Sequence, residues 1–526
     1  MQIEERQPVL TGLQPGEPSG PRLSRIVKRV LIGVVAGSVV LGGVLVLLTS
    51  TRHAVAPRPV AGPPGRANTA VTAGVPVAVS DLVAVIGDRE AHLRAHPRDG
   101  QAWAVLGNAY AEQARRTGMP AYYPKAEKAL RTSLQAGPEQ NQAAMDGLTA
   151  LANARGDFLA AKKWGEAAVR QSPKRWTTYA LLIDTYTGLG DYKAARRTLE
   201  KLQRLHKGPR VLAQASRVYW NLGWREDAAA TISDAAAGAA TPAERAAYLQ
   251  QAGELSWERG DVKESLRYYK AALASDPDEH GSLAGQGRAL AALGRMSEAT
   301  RSYQTALARQ PAPRYALELG ELYEKLGLTG AARVQYDLLR DRVRQEEAGG
   351  VDDELVLGLF EADHGDPYAA VRRLRAEWER RPGIPVADAL GWALHRDGYD
   401  REALKFARKA MDKEHGGGVR SALYAYHRGQ IERELDLVGP ARRHLADALR
   451  INPRFSPLFA PSAQAALTEM GEPSVEAPRD PWEETEESTE PATPGTPATL
   501  ATPGTLATPG TPERATPPAL RRPASR

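Results

Sequence analysis

Two histidines are spaced so that they could share a metal ion. His92 and His96 lie four residues apart in a segment that favours a helix, a spacing that can hold zinc on one helix face. No third ligand lies nearby in the sequence, and Arg89 and Arg94 would oppose a bound cation. Two solvated histidines near a helix end are the favoured interpretation. We therefore predict no metal site.

Other chemical motifs are equally sparse. Gly416, Gly417 and Gly418 lack the Lys and Ser/Thr of a phosphate-binding loop, so this run is interpreted as a helix connector. The sequence contains no G-x-S-x-G, no H-E-x-x-H and no kinase motifs. It also contains no cysteine, which excludes disulfides, zinc ribbons, iron–sulfur clusters and cysteine nucleophiles. The sequence predicts no enzyme, no catalytic residue and no cofactor.

The charge balance argues against nucleic-acid binding. The 526 residues include 69 basic and 63 acidic ones, for a formal net charge of +6. Nucleic-acid binding needs a clustered basic face, and the body of the chain has no dense basic block. We predict a protein partner and no nucleic acid.

An apolar segment near the N-terminus predicts a membrane anchor. Val30–Leu48 contains no charge, and its length as a helix, roughly 28 Å, is close to a hydrocarbon core of about 30 Å. A cleaved signal peptide, which would make the protein secreted, is the alternative, because Ala54-Val55-Ala56 matches an A-x-A cleavage site. Pro57 after the cut and the length of the apolar run favour an uncleaved transmembrane helix.

The flanking cations predict the orientation of this anchor. Four basic residues precede the apolar segment, and two lie close behind it: Arg22, Arg25, Lys28 and Arg29, then Arg52 and Arg58. Positive charges favour the cytoplasmic side. The expected localisation is therefore a single-pass cell-membrane protein with a cytoplasmic N-terminus and the rest outside.

Composition divides the remaining chain. The composition of residues 1–29 predicts a disordered tail, and residues 49–78, which are rich in Pro and Ala, are predicted to form a stalk. A helix over 79–98, with Ser80 as its N-cap, is expected to cap the main domain. Residues 471–526 carry an acidic run followed by Thr/Pro-rich units, which predicts a second disordered tail.

A glycine recurs at almost constant spacing through the main domain. Seven consecutive intervals of 34, 33, 37, 34, 33, 38 and 33 residues separate these glycines: Gly156, Gly190, Gly223, Gly260, Gly294, Gly327, Gly365 and Gly398. Alanine follows each glycine by five residues, except at Ser265. Glycine adopts the left-handed conformation that ends a helix, and alanine allows close helix approach. The sequence predicts an array of helical hairpins.

These residues resemble the tetratricopeptide repeat family. Trp103, Leu106, Gly107 and Tyr110 match the first half of its motif, and Pro138 ends the same unit. The resemblance implies an all-α fold, a right-handed α-solenoid of about ten helical hairpins over residues 99–470. In full, the expected architecture is one transmembrane helix, this solenoid and a disordered tail.

The resemblance also implies a binding surface. In the family, the first helix of each hairpin lines a concave groove. The residues that this register places there are Asn108, Asp184, Arg217, Trp220, Glu254, Trp257, Arg288, Glu321, Trp392, His395 and Arg396. Trp220 and Trp257 hold one position in adjacent units, and they either face a ligand or pack between helices. Only Asn108 matches the family's clamp for peptide C-termini, which argues against that class of ligand.

The expected function is therefore a membrane-tethered scaffold that binds proteins through its groove. The alternative is an extracytoplasmic assembly factor that presents client proteins to a maturation system, like the tetratricopeptide proteins of cytochrome c biogenesis. The repeat fold does not identify the partner, because the side chains that line the groove can vary freely while the fold stays the same.

Overall fold

The computed structural model describes residues 63–137, 141–413 and 418–471, and within these ranges every regular element is a helix. There are 23 described helices. Three of them lie outside the hairpin array: α1 (Pro63–Ala73) and α2 (Val79–Ala95) before it, and α23 (Phe459–Glu469) after it. The predicted tail 1–29 lies outside the described residues, as does the predicted tail 471–526 beyond its first residue, Gly471.

Ten hairpins form the array, which confirms the predicted α-solenoid of paired helices. The first helices of units one to ten are α3 (Gly100–Thr117), α5 (Gln142–Ala154), α7 (Trp176–Gly188), α9 (Pro209–Asn221), α11 (Pro242–Glu258), α13 (His280–Ala292), α15 (Pro313–Lys325), α17 (Glu354–His364), α19 (Ile384–Arg396) and α21 (Ala422–Glu434). The second helices are α4 (Tyr122–Ala136), α6 (Phe158–Gln171), α8 (Tyr192–Leu205), α10 (Arg225–Ala237), α12 (Val262–Ser275), α14 (Met296–Arg309), α16 (Thr329–Ala348), α18 (Pro367–Arg380), α20 (Asp400–Ala410) and α22 (Val438–Ile451).

Small residues let the two helices of a hairpin approach each other. A Cβ added to Gly107 would lie 2.6 Å from Leu130 Cγ, across the first hairpin, where Ala126 is fully buried. The turn glycines adopt left-handed backbone, as in Gly190 at φ 75°. Gly365 is an exception, since its φ is −138°, and in unit ten Asp436 takes the left-handed position at φ 56°.

The predicted stalk over 49–78 is wrong for its second half. Pro63–Ala73 forms a helix whose Ala67 and Val71 are buried together with Leu82 of α2. The composition that favoured an irregular stalk is overridden by this packing. The helix α2 lies where the capping helix was predicted, but it begins at Val79, so that Ser80 lies inside it and is not its N-cap.

The hairpins also contact partners far along the chain, beyond the adjacent units of the array. We call units one to five the first tier, and units six to ten with α23 the second tier. Hydrogen bonds between the tiers join residues 160 to 224 positions apart. The side chain of Arg116 pairs with Asp276 at 2.5 Å, and the Ile384 N–H donates to Tyr192 Oη at 2.9 Å.

These contacts follow one rule: the hairpin turn of a first-tier unit meets the loop that precedes a unit about six positions later. The Gly418 N–H donates to the Asn221 carbonyl at 2.7 Å, and the Asp352 N–H donates to the Arg155 carbonyl at 2.8 Å. Carbonyls at a helix C-terminus have no partner within their own helix. The second tier therefore satisfies groups that the first tier leaves open.

The predicted membrane localisation requires a correction. Among the helices of residues 63–137, 141–413 and 418–471, none is long and apolar enough to cross a membrane. The segment Val30–Leu48, on which the anchor rested, lies outside the described residues. The predicted single-pass localisation and the extracytoplasmic placement of the solenoid both required a transmembrane helix. Because the described helices include none, both predictions are withdrawn.

Candidate functional site

Polar side chains on the first helices pair from one unit to the next. Arg217 Nη1 lies 3.0 Å from Asp184 Oδ1 of the preceding unit, and its Nε donates to Gln251 Oε1 of the following unit at 3.3 Å. The partners are about one repeat apart in sequence, so the fold brings them side by side. Asp184 and Arg217, both predicted to contact a ligand, are thus already joined to neighbouring units.

A larger network surrounds Arg288 in units five to seven. Arg288 Nη1 lies 2.9 Å from Glu254 Oε2, and its Nη2 lies 3.2 Å from Glu318 Oε1. Tyr303 Oη donates to Glu318 Oε2 at 2.9 Å, and Arg314 Nε donates to Glu318 Oε1 at 2.9 Å. Hydrogen bonds between charged groups of this kind fix side-chain positions strongly. The network holds the predicted residues Glu254 and Arg288 in one place.

Burial and pairing set the protonation of these carboxyl groups. Burial is the largest influence on Glu254 and Glu318 and acts to raise the pKa. The positive charges of Arg288 and Arg314 outweigh it, so the pKa of both carboxyls lies below its ordinary value. Burial also acts on Glu258, and there it outweighs the positive charges of Arg288 and Arg314, so the pKa of that carboxyl is raised. Two kinds of carboxyl therefore stand side by side, paired ones and an unpaired one.

A cavity of about 850 Å³ lies beside this network. Four of the predicted residues line it, namely Trp220, Trp257, Arg288 and Glu321. They come from the first helices of units four to seven, as the family register implied. Cavities of this size that combine aromatic walls with a few fixed charges are typical of binding sites.

The opposite wall of the cavity belongs to unit ten and α23. Tyr424, Phe455 and Phe459 face the cavity from there. Sequence reasoning missed these residues, because they reach the site only where the second tier lies against the first. The available signal was compositional: Phe455 and Phe459 are two of only 5 phenylalanines in the chain, and they stand four residues apart.

The three predicted tryptophans differ in their environment. Trp257 is only 5% exposed and packs in a buried cluster, while the Arg288 guanidinium lies 5.5 Å from its ring centroid. Trp220 is half-buried, with Arg225 5.6 Å from its ring. Trp392 is buried away from the cavity, and its Nε1 donates to Asp363 at 3.0 Å. Packing between helices thus accounts for Trp257 and Trp392, whereas Trp220 retains a free surface.

The other predicted groove residues do not line this cavity. Asn108 donates to the carbonyl of Ala104 in its own helix at 2.9 Å. His395 Nδ1 lies 2.5 Å from Asp400 Oδ1, and Arg396 Nε donates to the Ala362 carbonyl at 3.3 Å. His395 and Arg396 thus connect neighbouring helices, whereas Asn108 bonds within its own helix.

The two N-terminal histidines stack on each other. Their ring centroids are 4.5 Å apart, and His92 Nε2 lies 2.9 Å from Asp99 Oδ2. Asp99 also caps α3 by accepting a hydrogen bond from the Ala102 N–H. Both histidines therefore take part in the start of the first hairpin.

Comparison with known proteins places these features in context. No family model matches the chain. Over 81 residues the chain is 41% identical to the tetratricopeptide repeat and J domain-containing co-chaperone DNJ1 of Fusarium oxysporum, a match that covers 15% of this chain and 16% of that protein. The match thus spans about a sixth of the relative's length.

Two solved structures show the range of similarity. Human IFIT1, determined as a dimer with PPP-AAAA, is 14% identical with a TM-score of 0.41, over 59% of this chain and 72% of that chain. A thermophilic tetratricopeptide repeat protein of Thermus thermophilus is 22% identical with a TM-score of 0.30, over 32% of this chain and 92% of that chain.

Proposed function

Because the chain is a tetratricopeptide-type repeat protein, we propose that it is an interaction scaffold whose inter-tier cavity binds an extended segment of a partner protein. The observation that carries the proposal is the cavity itself, about 850 Å³ and lined by aromatic side chains from both tiers. Aromatic residues supply much of the energy of protein recognition when a ligand covers them.

The size of the cavity favours a short segment over a folded surface. Ligand sites of roughly 300–1,000 Å³ enclose molecules of drug size, which corresponds to a few residues of an extended chain. Trp220 on one wall and Tyr424 on the other would contact opposite sides of such a segment. Anchors that are held in place before binding lower the entropic cost of association.

The carboxylate of Glu258 favours a basic side chain beside it in the ligand. Arg288 is already paired with two carboxylates, so it offers little to an acidic ligand. Glu258 lines the cavity, and its side-chain carboxylate accepts no hydrogen bond from any residue in the described ranges. A Lys or Arg of the partner would provide the missing cation, and an aromatic wall accommodates such a group.

A peptide-display selection against the full-length chain tests this proposal. We expect enrichment of segments that combine a basic residue with aromatic or aliphatic ones, and at least about tenfold weaker binding of the selected peptide to Glu258→Gln. Glu298→Gln is the matched control, because Glu298 is paired with Arg295 at 2.6 Å on the exposed surface of α14. Selected peptides that lack basic residues, or that bind both variants equally, would refute the proposal.

A further inference from the structure

The hairpin turns of the second tier carry an uncovered edge. In the first tier these turns are covered: a Cβ added to Gly190 would lie 2.7 Å from the Pro382 carbonyl oxygen, and one added to Gly260 would lie 2.5 Å from that of Ile451. In the second tier, Cβ atoms added to Gly294, Gly327 and Gly398 would meet no described atom within 4 Å. We call the hairpin turns of units six to ten the turn edge.

Three of the five turns on the turn edge, in units seven, nine and ten, carry an exposed apolar residue directly after the turn position, whereas units six and eight carry Arg295 and Asp366 there. Among the covered turns, aspartate is found in units two and three, and unit four carries Trp224. The residue after the turn glycine is Asp157 in unit two and Asp191 in unit three, and each caps the following helix. At the same position, units seven and nine carry Leu328 and Tyr399, which are 50% and 57% exposed and provide no side-chain cap. An aspartate there would contribute about 1 kcal/mol to helix stability, so exposure to water alone does not explain these residues.

Unit ten adds two more exposed apolar residues to the turn edge. Leu437 takes the position after the left-handed Asp436, and the following Val438 is 52% exposed. Large exposed apolar patches on soluble proteins usually mark interaction sites. The exposed apolar residues of units seven, nine and ten therefore indicate that another surface binds the turn edge.

The chain shows what covers such an edge elsewhere in the fold, namely its own inter-unit loops. Equivalent loops precede units three to five, at 172–175, 206–208 and 238–241. They occupy the same position in the repeat as the loops that cover the first tier. Pro173, Lys174 and Lys207 are exposed in them. Lys174 and Lys207 place positive charge on the first two of these loops, whereas Glu434 and Asp436 are exposed on the unit-ten turn and Arg295 is exposed on the unit-six turn. The unit-ten turn is therefore complementary in charge to these two loops.

We propose that the turn edge of one chain docks onto the loops before units three to five of a second copy, so that the solenoid continues from chain to chain. The contact would extend the inter-tier interface already present within each molecule. It joins two different surfaces, so it is heterologous, and such contacts build open chains of subunits unless the rotation closes.

Mass measurement on the full-length chain tests the proposal, by light scattering or sedimentation over a range of concentrations. We expect the average mass of wild type to rise with concentration. The double variant Tyr399→Glu, Val438→Glu, altered on the turn edge, should associate at least about tenfold more weakly. So should Lys174→Glu, Lys207→Glu, altered on the loops. Leu159→Glu is the control, because Leu159 is an exposed apolar residue of the first tier.

Mixing the two double variants identifies the geometry. Each retains one intact surface, so the mixture should form heterodimers that grow no further, although neither variant associates alone. A wild type that stays monomeric at every concentration overturns the proposal. So does association that persists in both variants, as it would if the apolar Val30–Leu48 segment caused it. Circular dichroism establishes that the variants retain the helical fold.

Discussion

The side-chain amide of Asn452 donates a hydrogen bond of 2.8 Å to the backbone carbonyl of Trp257, 195 residues earlier in the chain. Asn452 is only 1% exposed, and Trp257 lines the cavity. This hydrogen bond therefore connects the second tier to the first at the edge of the candidate site. The cavity and the contact between the tiers depend on each other.

Replacing Asn452 tests that contact. Asn452→Ala removes this bond, while the Trp257 carbonyl still accepts the Gly260 N–H at 2.9 Å. The loss is therefore that of one net hydrogen bond, about 0.5–1.5 kcal/mol. We expect the free energy of unfolding, measured by urea denaturation, to fall by that amount. Gln310→Ala is the control, since Gln310 makes the equivalent bond to the Arg115 carbonyl at an exposed position. Equal losses from both variants would contradict a buried fastening at Asn452.

The turn glycines offer a matched pair. Gly223 and Gly294 have similar left-handed backbone, with φ of 80° and 78°. A Cβ on Gly223 would overlap the Gly418 carbonyl oxygen, whereas one on Gly294 would meet no described atom within 4 Å. We expect Gly223→Ala to be more destabilising than Gly294→Ala by about 1–3 kcal/mol, the usual cost of overpacking. Thermal melts of the two variants measure the difference, and indistinguishable melts would exclude close packing of the tiers.

Much of the fold, and less of the site, was predictable from the sequence. The glycine spacing locates the hairpins because each turn is specified locally by one residue type. The contact between Asn452 and Trp257 leaves no such local trace, since it depends on how strongly the array curves. Likewise, Arg288 and Glu254 were predicted to contact a ligand, but they pair with each other. Their separation of 34 residues, one repeat, was the overlooked indication.

The tryptophans of the site should respond differently to substitution. Trp257 is buried, so Trp257→Ala opens a cavity and should lower the free energy of unfolding by about 3–5 kcal/mol. Trp220 is half-buried on the cavity wall, so Trp220→Ala should lower the free energy of unfolding by less. It should also weaken the binding of the selected peptide by about 2 kcal/mol. Denaturation and peptide titration on each variant separate the roles. A larger stability loss from Trp220→Ala would place that ring in the core.

The carboxyl group of Glu346 predicts a dependence of stability on pH. Burial and the nearby Asp353 raise the pKa of Glu346 from 4.5 to about 8. The folded protein therefore holds this proton more tightly than the unfolded chain, and the stabilising contribution is lost as pH rises from about 4.5 through about 8.

Glu346→Gln should flatten the fall in melting temperature over this pH range, because glutamine keeps a hydrogen-bonding group without the charge. Glu347→Gln, at the exposed neighbouring position, is the control and should follow wild type. Parallel curves for wild type and Glu346→Gln would show that another group controls the slope.

The central claim is that residues of the two tiers bind one and the same ligand segment. Site-specific photo-crosslinking tests it most directly, with a photoreactive amino acid replacing Trp220 in one sample, Tyr424 in a second and exposed Leu159 in a third. We expect the probes at Trp220 and Tyr424 to crosslink to the same few residues of the selected peptide, and the probe at Leu159 to form no such crosslinks. Crosslinks to separate peptide regions, to only one of the two walls, or equally at Leu159 would contradict it.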